Sequence, residues 1–438
     1  MPSFGSNHSS HIERSVDHIC LCPGCDLLLE KARATSEHTV VCPRCLYRLD
    51  RKRPDAIRRT LVLSLTGLLL YLPANFFPLL SLNILGAEIT SSLFRSTLSL
   101  FEQGEYLVGI LVVLTGFICP LMILSLLCAV AAGLFFNRKS RWMSIFLHWY
   151  HHLNEWAMPD IYLIAVFITI IKIHSAGAIA FNAGLFCFIG LVITTVAAQA
   201  SANEPLFWSR LERQDEQENQ ILAIDPAART GKEARLLLCP TCHKVIQSEV
   251  AAGNRNPACP RCGEPLHLRR RNSVDRAWAL IVSAVLFTLP ANLLPIMSVS
   301  SFGNRAESTI IDGIIHFFQE GSYGIGAVIL TASVLVPLFK IFGMSLILIS
   351  IHFQRTRWLR HKAMMFRFIA FVGRWSMLDI FVIALLCSLV RFGSLSSVDA
   401  APAALYFSAV VLSTMFAAIS FDTRLLWDSA EEEASESS

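Results

Sequence analysis

Two copies of one long pattern lie end to end in this chain, and that duplication limits its architecture more than any other feature. Shifting the sequence by 217 residues lays Cys22, Cys25, Cys42 and Cys45 on Cys239, Cys242, Cys259 and Cys262. The same register lays LPANFFPLLS (72–81) on LPANLLPIMS (289–298), Gly104 and Tyr106 on Gly321 and Tyr323, and Pro120 on Pro337. After a two-residue insertion the offset becomes 219, which brings Trp156, Asp160, Lys172 and Trp208 onto Trp375, Asp379, Arg391 and Trp427. A repeat of this length is a whole domain rather than a solenoid unit.

Each copy is largely apolar. Of the 438 residues, 54% are hydrophobic and 16% charged, which points to a membrane protein. Crossing a hydrocarbon core takes about 20 apolar residues per helix, and each half supplies four such stretches. They are placed near 60–82, 107–135, 157–174 and 179–200, then 277–298, 325–351, 376–393 and 403–421, the third of each half being short. The expected fold is an all-α polytopic membrane protein with two parallel repeats of four transmembrane helices, each preceded by a small cytoplasmic four-cysteine zinc ribbon. An even number of spans per half makes the copies parallel, related by an axis along the membrane normal. The expected divisions are a tail (1–19), ribbon 1 (20–50), membrane domain 1 (51–202), a polar linker (203–235), ribbon 2 (236–270), membrane domain 2 (271–428) and an acidic tail (429–438).

The placement of Lys and Arg predicts orientation. Arg51, Lys52, Arg53, Arg58 and Arg59 precede span one, and Arg269, Arg270, Arg271 and Arg276 precede span five. Arg138, Lys139 and Arg141 follow span two; Arg355, Arg357, Arg360, Lys362, Arg367 and Arg374 follow span six. The opposite loops hold only Arg95 and Arg305. With a polar stretch in place of a secretory leader, both termini are expected in the cytoplasm. All eight Trp fall on that same side.

CPGC (22–25) and CPRC (42–45) enclose 16 residues, as do CPTC (239–242) and CPRC (259–262). Two residues between cysteines let a tight turn aim both sulfurs at one tetrahedral ion, the spacing of a structural zinc ribbon. Two zinc ions are expected, each on four thiolates and therefore without an open position. A thioredoxin-like pair would instead show one CxxC beside a βαβ unit. Cys20 is a spare thiol, and Cys119, Cys128, Cys187 and Cys387 read as small apolar side chains.

Lys340 interrupts an apolar run, where a charge is expensive and commonly functional. Its repeat-mate is Ile123. Asp379 is the natural counter-ion, and Ser333, Ser376 and Thr414 are candidate members of the same polar cluster. The competing readings are a static ion pair and a protonation site coupled to movement. Asp160 lacks a matching Lys and reads as structural; Lys172 and Arg391 read as interfacial anchors. The P-A-N-x-x-P motifs at 73–78 and 290–295 end a helix at the outer face or, alternatively, break it so that Asn75 or Asn292 lines a polar cavity. The segments 91–106 and 308–323 are amphipathic and lie on the outer leaflet, receive a partner or cap the bundle. No two histidines share a depth in two spans, which argues against a bis-histidine haem.

The doubled ribbon, the LPAN..P motif and the F-x-x-G-x-Y loop end resemble the paraquat-inducible protein A family, over residues 20–428. Within it the chain is most like the inner-membrane subunits of envelope-spanning tunnel systems. The resemblance implies an inner-membrane protein of a Gram-negative bacterium that works beside a periplasmic tunnel of mammalian-cell-entry domains. It would load lipid into that tunnel or receive lipid from it. Membrane lipids are then expected as cargo, with neither nucleic acid as partner nor an enzymatic activity; no G-x-x-x-x-G-K-[ST] loop is present. Two readings of other classes stand beside it, a zinc-ribbon adaptor or stress-sensing scaffold and a membrane oxidoreductase.

Overall fold

A computed structural model describes residues 12–15, 19–31, 39–50, 55–84, 87–138, 140–173, 178–211, 221–224, 228–248, 257–301, 304–389 and 396–428. Arg51, Lys52, Arg53, Lys139 and Arg391, and the acidic tail, lie outside them. The first half contains α1 (Ala56–Phe76), α2 (Leu93–Glu102), α3 (Tyr106–Phe135), α4 (Arg141–Leu153), α5 (Pro159–Ile173), α6 (Ala183–Ser201) and α7 (Glu204–Leu211). The second contains α8 (Ser273–Leu293), α9 (Ile310–Gln319), α10 (Tyr323–His352), α11 (Leu359–Val372), α12 (Leu378–Leu389) and α13 (Ala403–Ser420). Among the described residues seven helices are long and apolar enough to cross a membrane: α1, α3, α6, α8, α10, the rod Leu359–Cys387 and α13. The eighth expected span, α5, has 15 residues, about 22 Å at 1.5 Å per residue, short of a hydrocarbon core of about 30 Å.

Three features depart from the sequence reading. The basic connection after span six is helical as α11, and it runs through a 3-10 segment, Gly373–Met377, into α12. The outer connections are not helical throughout: Leu80–Ile84 pairs with Ala87–Ser91 and with Ala178–Phe181, and Met297–Ser301 pairs with Asn304–Ser308 and with Ser396–Ala400. These two three-stranded sheets arise where the motif prolines stop α1 and α8; Phe77 and Leu294 turn extended immediately before Pro78 and Pro295. Finally, α3 and α10 each widen into a π segment, Val113–Ile118 and Leu330–Leu335. Pro120 and Pro337 follow at once, and a proline with no N–H to return is accommodated by such a widened turn.

Within each half the first and last spans pack along each other, α1 on α6 and α8 on α13. Gly184, at the start of α6, approaches the end of α1 so closely that a β-carbon would stand 2.5 Å from the Pro78 carbonyl oxygen and 2.6 Å from that of Phe77. The halves meet through the short helices. Apart from Asp160, Lys172 and Asp379 near their ends, α5 and α12 are largely apolar on every face, which suits burial, and from Ile380 to Cys387 every residue of α12 is buried. Tyr162 and Phe381 stack at 4.6 Å across this seam. On the strand side, Gln103, which caps the end of α2, donates to the Val398 carbonyl and accepts from Ala400 N–H at 3.4 and 3.1 Å.

The ribbons exchange places. The sulfurs of ribbon 1 share an apolar cluster with Ile281, Met344, Ile347, Phe421 and Trp427 of the second half. Ribbon 2 instead joins the cluster that contains Leu147, Tyr150 and Trp208 of the first. Each second knuckle supplies an arginine that covers the tryptophan ending the opposite half: Arg44 lies 4.5 Å from the Trp427 ring centroid and Arg261 lies 5.6 Å from that of Trp208. The ribbons also touch each other, through Ile19 and Leu21 against Leu236, Leu238 and Val245. Arg269 fastens ribbon 1 further, reaching Asp26 at 2.9 Å and forking onto both carboxylate oxygens of Asp428 at 2.7 Å.

Two outcomes test this packing. Gly184→Ala should destabilise the first half by about 1–3 kcal/mol, the usual range for overpacking against backbone, read as a lower melting temperature in detergent. Arg269→Ala strands the buried Asp26 carboxylate, a loss of about 3–5 kcal/mol for a broken buried pair. It should speed thiol labelling of Cys25, with Arg269→Lys restoring only part because an ammonium lacks the fork; labelling at the wild-type rate in the alanine variant would refute the clamp.

Candidate functional site

Four knuckles of one design carry the cysteines. In each, the first cysteine accepts from the N–H four residues on and donates to the carbonyl five residues on, as in Asp26 N–H to Cys22 O (2.9 Å) and Cys22 N–H to Leu27 O (3.0 Å). The residue that follows the second cysteine of each turn has positive φ: Asp26, Leu46, His243 and Gly263. That turn points both sulfurs of a knuckle inward. Cys22 and Cys45 Sγ are 3.4 Å apart and Cys25 and Cys42 Sγ 3.5 Å; in ribbon 2 the distances Cys239–Cys262 and Cys242–Cys259 are 3.4 and 3.5 Å. Disulfides would bring sulfurs to about 2.05 Å, whereas four thiolates at about 2.3 Å from a tetrahedral ion stand about 3.8 Å apart. Both sets therefore fit a metal ion closely, and seven of the eight cysteines are fully buried, Cys262 partly. Of the other thiols, Cys119 and Cys387 are buried and Cys128 and Cys187 half-buried, as expected of small apolar side chains.

The second site is inside the helical bundle, on a helix long and apolar enough to cross a membrane. Lys340, on α10, is 1% exposed. Its Nζ donates to the Ser376 hydroxyl at 3.2 Å and to the Gly373 carbonyl at 3.4 Å. Both acceptors belong to the 3-10 segment between α11 and α12, where an irregular turn leaves a carbonyl facing protein interior. Asp379 follows Ser376 by three residues, half-buried on the first turn of α12. Thr414 of α13 is buried and donates to its own helix at Val411. Lys340, Gly373 and Thr414 line one cavity of 540 Å³. That cavity runs out to Pro23 and Tyr47 of ribbon 1 and to Pro240 and His243 of ribbon 2.

Ser333 stands apart from this group. It lies in the π segment of α10 with its hydroxyl buried and unbonded, beside a cavity of 240 Å³ that Thr288, Asn292 and Pro337 also line. Asn292 therefore lines a cavity even though α8 ends at Leu293, while Asn75 is buried and donates to the Tyr71 carbonyl at 2.7 Å. Asp160 is half-buried on the first turn of α5.

Charge at the ribbon end of the larger cavity is locally balanced. Burial raises the Asp422 carboxyl, but the hydrogen-bonded Arg424 guanidinium and two backbone N–H groups outweigh it and hold the group below its usual range. Burial likewise disfavours charge on His151, yet the Glu204 carboxylate at 3.0 Å leaves its pKa raised. The Gly373 carbonyl and the double contribution of the ribbons to the cavity wall were not visible in the sequence. Arg44, Arg261, Trp208 and Trp427 did repeat at matching positions, a signal whose partner assignment required the fold.

A model of the family described as Paraquat-inducible protein A matches residues 57–212 and again residues 274–431. Lipophilic envelope-spanning tunnel protein A of Escherichia coli (strain K12) is 33% identical over 410 residues, 94% of this chain and 91% of that protein. Intermembrane transport protein PqiA of the same strain is 30% identical over 97% of this chain and 99% of its own length. A probable intermembrane transport protein of Haemophilus influenzae is 29% identical over 93% and 95% respectively. No solved structure matches the chain. Two matches to one family model, nearly full-length relatives and a set of helices suited to spanning a bilayer place this multi-pass membrane protein in the paraquat-inducible protein A family.

Proposed function

We propose that the chain is the inner-membrane component of a system that moves lipid between membranes, passing it to or from a periplasmic tunnel of mammalian-cell-entry domains. The single observation that carries the reading is a buried lysine on the wall of a cavity that reaches from the membrane domain to both ribbons. A cation held by a hydroxyl and a freed backbone carbonyl, at a break in a helix, is the kind of site at which transporters couple an ion to movement. Near full-length similarity to proteins named for intermembrane transport supports the same assignment.

In this reading the two halves are parallel four-span repeats, α5 counting as the third span of the first. The ribbons and both termini face the cytoplasm, in keeping with the basic residues on that side. Lys340 exchanges a proton with Asp379, which approaches as the 3-10 segment tightens or unwinds, and Ser376 passes between the two. Ser333 and Thr414 supply hydrogen bonds to successive states. Zinc is the ion of each cysteine set, since four thiolates in a closed tetrahedron suit it best. Its role is to hold each ribbon in the shape that docks on the opposite bundle.

Lys340→Ala should abolish complementation of the envelope-lipid defect in a strain lacking this gene, with protein level and co-purification of the tunnel unchanged. Full complementation would exclude the proton-coupling role. Cys259→Ser should remove one tightly held zinc ion while the ribbon 1 ion stays, measured by metal analysis of the purified protein. Unaltered metal content would refute the thiolate set.

A further inference from the structure

A third cluster of metal-binding side chains lies outside both sites. His148 and His152 are one turn apart on α4 and so share a helix face; their ring centroids are 4.8 Å apart. Glu264, two residues after Cys262 in the last knuckle of ribbon 2, faces them. Its Oε2 is 3.4 Å from His148 Nδ1 and 3.2 Å from His152 Nε2, and it also accepts from the Thr241 hydroxyl at 3.2 Å. The three ligand atoms all lie within 4.8 Å of one another.

Hydrogen bonding alone satisfies this arrangement poorly. His148 Nδ1 is buried and makes no aligned hydrogen bond, although the carboxylate stands beside it. One oxygen is asked to serve two imidazoles and a hydroxyl. A tetrahedral ion with nitrogen and oxygen ligands at about 2.0–2.1 Å would set those ligands about 3.4 Å apart, close to the 3.4 and 3.2 Å that separate the Glu264 oxygen from the two imidazoles. Two imidazoles and a carboxylate are a recurrent set for zinc with a fourth position left open. Residue 149 is Trp, so the helix carries no carboxylate next to the first histidine to act as a hydrolytic base.

We infer that His148, His152 and Glu264 form an exchangeable site for a zinc-type divalent ion that clamps ribbon 2 to α4 of the first half. The side chains are 24%, 49% and 16% exposed, so solvent reaches the ion, unlike the buried cysteine clusters. An occupied site adds a coordinate bridge to the Arg261–Trp208 contact and makes the docking of ribbon 2 responsive to free metal.

The test is a cobalt(II) titration of the full-length protein purified with its tightly held ions and equilibrated with a mild chelator. One further equivalent should bind, with visible ligand-field bands of nitrogen and oxygen ligation and no sulfur-to-cobalt charge transfer. Glu264→Gln and His152→Ala should each lose that equivalent and keep the tightly held ions, whereas His151→Ala should bind like the wild type. A wild type that takes up no extra cobalt overturns the inference, as does a His148→Ala/His152→Ala double variant that binds it undiminished. Charge-transfer bands accompanying the extra equivalent would overturn it too, by placing the metal on cysteines.

Discussion

The exchange of ribbons between the two bundles is the constraint on which the rest of this structure depends. A ribbon of about 30 residues encloses too little apolar surface to hold itself together without metal or a neighbour. Here each finds its neighbour in the half of the chain to which it is not directly joined. Met344, Ile347 and Phe421 belong to the cluster that takes in the sulfurs of ribbon 1, and Leu147 and Trp208 to the one that takes in ribbon 2. The paired Arg–Trp contacts repeat the same solution on both sides. The ribbons also share Ile19, Leu21, Leu236 and Val245, so the two bundles are linked through their borrowed ribbons.

The second point of connection is the seam of short helices. α5 and α12 line this seam: Tyr162, Ala165 and Val166 of α5 are buried, as is every residue of α12 from Ile380 to Cys387. Irregular backbone at the start of α12 is tolerated within an apolar bundle where protein surrounds it. The Gly373–Met377 turn uses that freedom to present a carbonyl and the Ser376 hydroxyl to Lys340. Phe381, stacked on Tyr162 of the other half, begins just over one turn farther along the same helix. The surroundings of the buried amine are thus mechanically continuous with the contact between halves.

Much of this could be read from residue order. The cysteine spacing dictates the knuckles because a two-residue turn has few ways to direct both sulfurs inward. The P-A-N-x-x-P motif ends a helix because the second proline cannot continue one, and α1 and α8 stop just before Pro78 and Pro295. The isolated Lys340 stood out in the apolar run by the expense of burying it, and it is buried. Less was legible in the outer connections. Their strands are four or five residues long, and Leu80 finds Phe181 about a hundred residues away, so no local alternation announces the pairing. The helical state of α11 was hidden by its basic residues, which read equally well as an interfacial loop.

Residue order by itself therefore determined the duplication, the two four-cysteine modules, the apolar segments and the residue most worth testing, since each rests on spacing or composition. The tertiary structure alone decided which bundle each ribbon covers, which helices are central, and that the partners nearest Lys340 are Ser376 and a backbone carbonyl. Those choices depend on complementary surfaces brought together over two hundred residues of chain. Two modules carry the same cysteine pattern, and only packing can break the tie between their possible partners.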